Sequence, residues 1–314
     1  MLPEDPPSRG ELYGQSAPPP AFRLDREDVR RSFERASTSY DGAAVLQTRV
    51  RAELLDRLRW IGIEPARVLD LGCGTGEGAR ELKRRYPRAQ VLAIDIAQGM
   101  LRQARRRSRP FRRFERVCAD AHRLPLADAS VDLVFSNLLL QWCDATSEVL
   151  EAVRRVLRPG GFFSFSTLGP DTLRELRAAW TSADETTHVS AFLDMHDVGD
   201  ALTRAGFAEP VLDVERIVLS YPDVLALTRD LKAIGAHNVT AGRRRGLTGR
   251  GKWQAMSEAY ESFRRDGRLP ATYEVVYGAA WSREASAGGG RGEHAPAGAE
   301  VRISAAAIRR RPRP

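Results

Sequence analysis

The stretch Val68-Leu-Asp-Leu-Gly-Cys-Gly-Thr-Gly-Glu-Gly-Ala79 limits the folds open to this chain more than any other. Gly72, Gly74, Gly76 and Gly78 follow a short apolar run and precede a segment of helical pattern. Such a loop turns sharply, lets a ligand approach the backbone and presents the positive end of a helix. The run 67–72 reads as a buried strand, and the chain then alternates. The pattern predicts helix 77–86, strand 91–95, helix 97–107, strand 114–120, strand 131–137, helix 145–157 and strand 162–168. Alternation with short connections predicts an α/β fold, a Rossmann-like doubly wound and mostly parallel sheet. Farther on, a helix is expected near 196–205, a strand near 211–219, a helix near 222–234 and an antiparallel last strand at 272–281.

The glycine loop alone leaves the ligand open. Gly74 to Ala79 also fits the dinucleotide pattern GxGxxA. Asp95, at the end of the second strand, suits ribose hydroxyls on either reading. Two features favour S-adenosylmethionine over a nicotinamide dinucleotide. Asp70, two residues before Gly72, makes the pattern DxGxGxG; an acid there suits an ammonium group and would repel a pyrophosphate. Asp120-Ala121 follows the third strand, where a carboxylate can accept from an adenine amino group while the next N–H donates to the ring. Cys73 in the loop, Ile96 and Met100 beyond the second strand, and Asn137 at the end of the fourth complete the expected cofactor side. Asp70, the glycines, Asp95, Asp120 and the "FSN" of strand four together resemble the class I methyltransferases along 65–168.

Composition excludes several other classes. The net charge is +8, and only three of 49 basic residues are lysines. Arginine suits carboxylate and phosphate partners, yet no zinc-finger spacing or aromatic-basic RNA motif accompanies it, so nucleic acid is not an expected partner. Cys73, Cys118 and Cys143 make no CxxC or metal-ligand set, and they read as free thiols in a reducing compartment. No apolar run reaches membrane-spanning length and the N-terminus has no signal pattern, so a cytoplasmic protein off the membrane is expected. Residues 1–20 ("SAPPP") and the Gly/Ala/Arg/Pro-rich 282–314 read as disordered, flanking one domain at 21–281 with a substrate-side insertion near 222–268.

Four stretches outside the sheet core carry a closer resemblance: "RSFERASTSYDGAAVLQ" (31–47), "SNLLLQWCD" (136–144), "DLKAIGAHNVTAGRRRGLTGRGKWQAM" (230–256) and "ATYEVVYGAAW" (271–281). Together they resemble the malonyl-acyl-carrier-protein O-methyltransferases of biotin synthesis along 26–281. The resemblance implies methyl transfer to the free carboxylate of a malonyl thioester, on acyl-carrier protein or coenzyme A; a monomer is expected, though nothing in the sequence decides the oligomeric state. A methyltransferase of another small carboxylic acid, or a relative that assists respiratory-complex assembly, stays open. A carboxylate is ionised at neutral pH, with a pKa of about 4, so no general base is required, and no metal is expected. Tyr40 and Gln141 are the candidate positioning residues. Trp142, Lys232, His237, Asn238, Arg243, Arg244 and Arg245 are candidates for the substrate side. Val224, Leu227, Leu231 and Ile234 share one helical face, and Gly235 reads as that helix's C-terminal cap.

Overall fold

The computed structural model describes residues 24–108, 113–184, 188–236 and 249–283. The expected disordered ends therefore lie outside the described residues, apart from Ser282 and Arg283, and so do His237, Asn238, Arg243, Arg244 and Arg245.

Three helices come first: α1 (Arg26–Ala36), α2 (Tyr40–Ala43) and α3 (Val45–Arg57). The predicted alternation follows as β1 (Arg67–Leu71), α4 (Glu77–Arg85), β2 (Gln90–Asp95), α5 (Gln98–Arg107), β3 (Glu115–Cys118), β4 (Val131–Asn137), α6 (Thr146–Val156) and β5 (Leu157–Leu168). The rest is α7 (Arg174–Thr181), α8 (Met195–Arg204), β6 (Phe207–Tyr221), α9 (Val224–Ala233), α10 (Arg250–Glu261) and β7 (Leu269–Ser282). The sheet order is β3-β2-β1-β4-β5-β7-β6. β1 to β5 run parallel, and β7 lies antiparallel between β5 and β6. The order reverses between β1 and β4, so the loops leaving these strands diverge and open a crevice at their C-terminal ends.

Both faces of the central strands are covered, so those strands are apolar throughout. Val68, Phe135 and Phe162 pack on one side with Leu54 and Leu58. Leu69, Val134 and Phe163 pack on the other with Val149, Val153 and Leu202.

Two strands exceed the sequence expectation. β5 starts at Leu157 and runs through Arg158-Pro159-Gly160-Gly161, which reads as a helix stop and nothing more; the pairing with β4 shifts register there. β6 and β7 pair from Phe207↔Ser282 to Tyr221↔Leu269. Helices α7 and α10 have no counterpart in the sequence reading. Neither start carries a side-chain cap: α7 follows Leu173 in the left-handed region (φ 55) and α10 follows Gly249. Helix α9 is as expected. Leu231 and Leu227 are buried, and the Ala236 N–H reaches Leu231 O at 2.8 Å across a left-handed Gly235 (φ 75), which closes a Schellman cap.

Gly278 explains the glycine of "VVYGAAW". It pairs with Phe165, and a Cβ built on it would lie 2.1 Å from Cζ of that ring. Gly278→Ala should therefore cost about 1–3 kcal/mol or more of unfolding free energy. Denaturant melts should show the loss, and Phe165→Leu should restore part of it in the double variant.

Candidate functional site

The crevice opens into a cavity of about 1110 Å³ lined by strand ends, by α1 and α2, and by α7 and α9. Its first half is the glycine loop. Gly72 and Cys73 donate their N–H groups to Ile94 O at 2.9 and 3.0 Å, so the loop is sewn to β2. Gly72 has φ 74, and a Cβ there would meet Leu139 Cδ1 at 2.9 Å, so no other residue fits between β1 and the segment after β4.

Asp95 holds the loop's tip. Its Oδ2 accepts from Gly74 N–H at 2.8 Å and its Oδ1 from Ala97 N–H at 2.9 Å. Burial raises its pKa to about 6, against the pull of these backbone donors. Each oxygen keeps a lone pair for a ligand hydroxyl.

Asp70 behaves differently from the expectation of a carboxylate facing an ammonium group. It is 2% exposed and does not line the cavity. Its carboxylate lies under the start of α4, where a Cβ on Gly78 would touch Oδ2 at 2.8 Å, and it accepts from Ala79 N–H. Burial raises its pKa to about 7, and Oδ2 has no hydrogen-bond partner. Cys73 and Gly76 also stay off the cavity wall; a Cβ on Gly76 would meet Ala104 Cβ at 2.7 Å, so that glycine serves helix packing.

Gly72, Gly74, Asp95, Ile96, Met100, Asp120, Ala121, Asn137, Gln141, Trp142, Tyr40 and Lys232 all line the one cavity. Tyr40 sits beside Gly74, with its ring Cε1 4.0 Å from where a Cβ would be, and burial followed by the Asp95 charge drives its pKa upward. Trp142 meets Phe33 edge-on at 5.1 Å. The amides of Gln141 and Asn137 are both held by the protein. Gln141 Nε2 donates to Leu138 O at 2.8 Å and its Oε1 accepts from Thr167 at 3.3 Å. Asn137 Nδ2 donates to Gln47 O at 3.2 Å and its Oδ1 accepts from Ser166 at 3.0 Å.

The sequence reading missed a charged cluster and an amide. His122 is wedged between two acids: Nδ1 is 2.6 Å from Asp120 Oδ1, and Nε2 is 3.3 Å from Asp144 Oδ1 but out of line for a hydrogen bond. Arg26 of α1 binds Asp144 at 2.9 Å and approaches Asp120 at 3.8 Å. Burial opposes the charge on His122, yet the two acids raise its pKa above the ordinary value. Asp144 is held down at about 2, against the cost of burial, by His122 and Arg26. The nearest sequence signal was the spacing Asp120-Ala-His122, which forms a local turn through the 3.0 Å bond from His122 N–H to Asp120. Gln47 also lines the cavity, and its Oε1 is buried with no partner. A buried acceptor left so costs about 1–3 kcal/mol.

The second half of the cavity is apolar and aromatic, with Leu176, Trp180, Leu219, Trp253 and Tyr273 in its walls. The His188 ring stacks on Trp180 at 3.6 Å, and its Nε2 is 3.0 Å from Asp184. Tyr221 interacts with both Tyr273 and Asp230. The N-terminal helices close the top. Ser32 Oγ donates to Gly235 O at 2.7 Å and Ser39 Oγ to Ala233 O at 2.9 Å, while Glu34 accepts from Gly99 N–H at 2.7 Å. Among the described residues no group of His, Cys, Asp and Glu could hold a metal ion, and no helix is long and apolar enough to cross a membrane.

A glycine loop after β1, an acid closing β2, an acid beyond β3 and an antiparallel β7 define a class I methyltransferase, and residues 69–165 match the family model described as a methyltransferase domain. The solved chain of Bacillus halodurans provisionally named a methyltransferase has this fold, with a TM-score of 0.54 at 18% identity, covering 74% of this chain and 99% of that one. The chain belongs to the malonyl-[acyl-carrier protein] O-methyltransferase family. It is 56% identical over 269 residues to the member from Laribacter hongkongensis, covering 83% of this chain and 91% of the relative. It is 54% identical over 271 residues to the member from Methylovorus sp., covering 84% and 92%.

The His122 cluster sets a pH dependence. A histidine whose folded pKa is raised stabilises the fold fully below its unfolded value of about 6.5, and the contribution fades as pH rises through the folded value. Urea melts should therefore show the stability advantage of the parent over His122→Gln to be greatest near neutral-to-acid pH, with Asp120 and Asp144 still ionised, and to shrink towards alkaline pH. A difference that does not change with pH would contradict the pairing.

Proposed function

We propose that this enzyme transfers the methyl group of S-adenosylmethionine to the free carboxylate of a malonyl thioester, giving the methyl ester that primes pimeloyl formation for biotin. The observation that carries the reading is the continuity of one cavity from Gly74 and Asp95 to an apolar chamber at Trp180 and Tyr273. The names of the relatives add the acceptor, malonyl-[acyl-carrier protein]. We read 21–281 as the catalytic unit, working as a monomer in the cytoplasm.

The residues present fit the cofactor. Asp95 offers one lone pair on each oxygen to the ribose hydroxyls. Asp120, whose Oδ2 is not taken by His122, would accept from the adenine amino group, Ala121 N–H would donate to the ring, and Ile96 and Met100 would supply apolar contact to it. Gly72 and Gly74 would leave the loop free of side chains for the methionine chain, and the unpartnered Oε1 of Gln47 would accept from its ammonium group. When bound, S-adenosylmethionine supplies a methyl group on a positively charged sulfur. Tyr40, Gln141 and Trp142 then shape the space in which an acceptor oxygen lines up with that methyl. As the C–O bond forms and the C–S bond breaks, an anion and a cation become a neutral ester and a neutral thioether. Charge disperses, so an apolar chamber that strips water from the carboxylate favours the transition state, and alignment does the rest. The locked Gln141 and Asn137 amides hold the strand-four corner rigid during this step.

Mass spectrometry of malonyl-carrier protein and malonyl-coenzyme A after incubation with S-adenosylmethionine should show the gain of one methylene, removable by esterase. If malonyl thioesters stay unmodified while another small carboxylic acid is esterified, the acceptor is wrong. Cofactor affinity supplies an independent check. Because Asp95 protonates near pH 6 in the folded protein, calorimetry should show affinity for S-adenosylmethionine falling as pH drops from 7.5 through that value. Asp95→Ala should weaken it at pH 7.5 by about tenfold or more, since charge-assisted bonds contribute about 1.5–3 kcal/mol.

A further inference from the structure

The cavity has a charged mouth that the methyl-transfer chemistry does not use. Of the described residues that line it, only Arg35, Ser39, Arg229 and Lys232 are exposed; every other is buried or half-buried. The way in from solvent is thus rimmed by three cations and a hydroxyl. Two helix C-termini bring them together. Arg35 stands in the last turn of α1, and Arg229 and Lys232 stand on α9. The two helices are tied by the bonds from Ser32 to Gly235 O and from Ser39 to Ala233 O. None of the three cations has a carboxylate within ion-pairing range among the described residues, although the cationic side chain deeper in the cavity, Arg26, is fully paired. The adjacent acids are engaged elsewhere. Glu34 accepts from Gly99 N–H and Arg102, and Asp230 interacts with Tyr221. A cation in the last turn of a helix is favoured by the dipole. That accounts for Arg35 and Lys232 being basic, and leaves open why Arg229, a turn earlier, opens onto the same mouth.

We propose that Arg35, Arg229 and Lys232 form a binding site for the phosphodiester at the head of a phosphopantetheine arm. The assignment rests on the malonyl-thioester reading above. It adds a second recognition point at the far end of the acceptor. The chemistry of the lining suits that arm: exposed cations, the apolar side chains of Leu231, Ile234, Leu219 and Leu176, the aromatic chamber and the glycine loop all face one cavity. A phosphate held at the rim fixes how deep the thioester reaches. Guanidinium groups supply paired, charge-assisted donors for its oxygens. The site is therefore tuned to the shared phosphorylated arm and not to the protein or nucleotide beyond it.

The test compares malonyl-4′-phosphopantetheine with malonyl-pantetheine, which lacks the phosphate, in the parent, in Arg35→Gln/Arg229→Gln, and in Arg35→Lys/Arg229→Lys. In the parent, kcat/KM should favour the phosphorylated thioester by about tenfold or more, mainly through KM. In the glutamine variant the ratio should collapse to near unity, and in the lysine variant most of it should survive. Thermal melts and S-adenosylmethionine affinity, measured on the same proteins, report whether the fold and the cofactor side are intact. An unchanged ratio in the glutamine variant overturns the site, and so does an equal loss on both thioesters. A loss confined to malonyl-carrier protein, with the small phosphorylated thioester untouched, also overturns it, because the cations would then meet the carrier's acidic surface. Calorimetry with phosphopantetheine and pantetheine themselves, carrying no acyl group, keeps the two readings separable. If phosphopantetheine alone binds the parent and loses affinity in the glutamine variant while no malonyl thioester is methylated, the rim stands and the acceptor assignment fails.

Discussion

The carboxylate of Asp95 ties together two turns that must not move. Through Oδ2 it holds Gly74, the tip of the glycine loop, and through Oδ1 it holds Ala97, the first step into α5. The loop after β1 and the loop after β2 thus share one anchor, placed where the sheet's strand order opens a crevice. Burial resists ionisation there, and the backbone donors only partly offset it. A ligand offering two hydroxyls completes the solvation that folding left unfinished. The same group therefore shapes the site and faces the cavity.

Around this anchor the chain folds back on itself. Helices α1 and α2, from the start of the described chain, lie against α5 and α9 by way of Glu34, Ser32 and Ser39. Thr75 in the glycine loop donates to Asp41 at 2.6 Å, so the loop and its cover are latched directly. The Arg26–Asp144–His122–Asp120 cluster does the same at the opposite lip. Charges at both lips make the cover an ordered wall and not merely an apolar cap.

Much of this was legible in the sequence because it is local. The strands β1, β2 and β4 and the glycine loop declare themselves by short-range pattern, and the acids at positions 95 and 120 by their place after a strand. Direction was not legible. The motif places Asp70 next to the loop but says nothing of which way the side chain points, and it turns beneath α4, where the Ala79 N–H and close packing claim it. Asn137 and Gln141 stand where expected, yet their amides are committed to Gln47 and Ser166, and to Leu138 and Thr167; all but the Leu138 bond join residues far apart in sequence. Helices α7 and α10 were not anticipated from the sequence. The cover escaped in detail because its meaning lies in contacts such as Ser32 with Gly235, separated by 203 residues.

The position of β7 has a bearing on how the molecule is made. It is the last strand in chain order, yet it lies inside the sheet, with β5 on one side and β6 on the other. A chain emerging from the ribosome can assemble β1 to β5 with their helices as it grows. β6, though already synthesised, has no neighbour to pair with until β7 arrives and bridges it to β5. Tyr221 and Tyr273, at the far end of the cavity, belong to those two strands. The glycine-loop half of the pocket can thus be assembled before β7 is made, and the aromatic half comes into being only once β7 has joined β6 to the sheet.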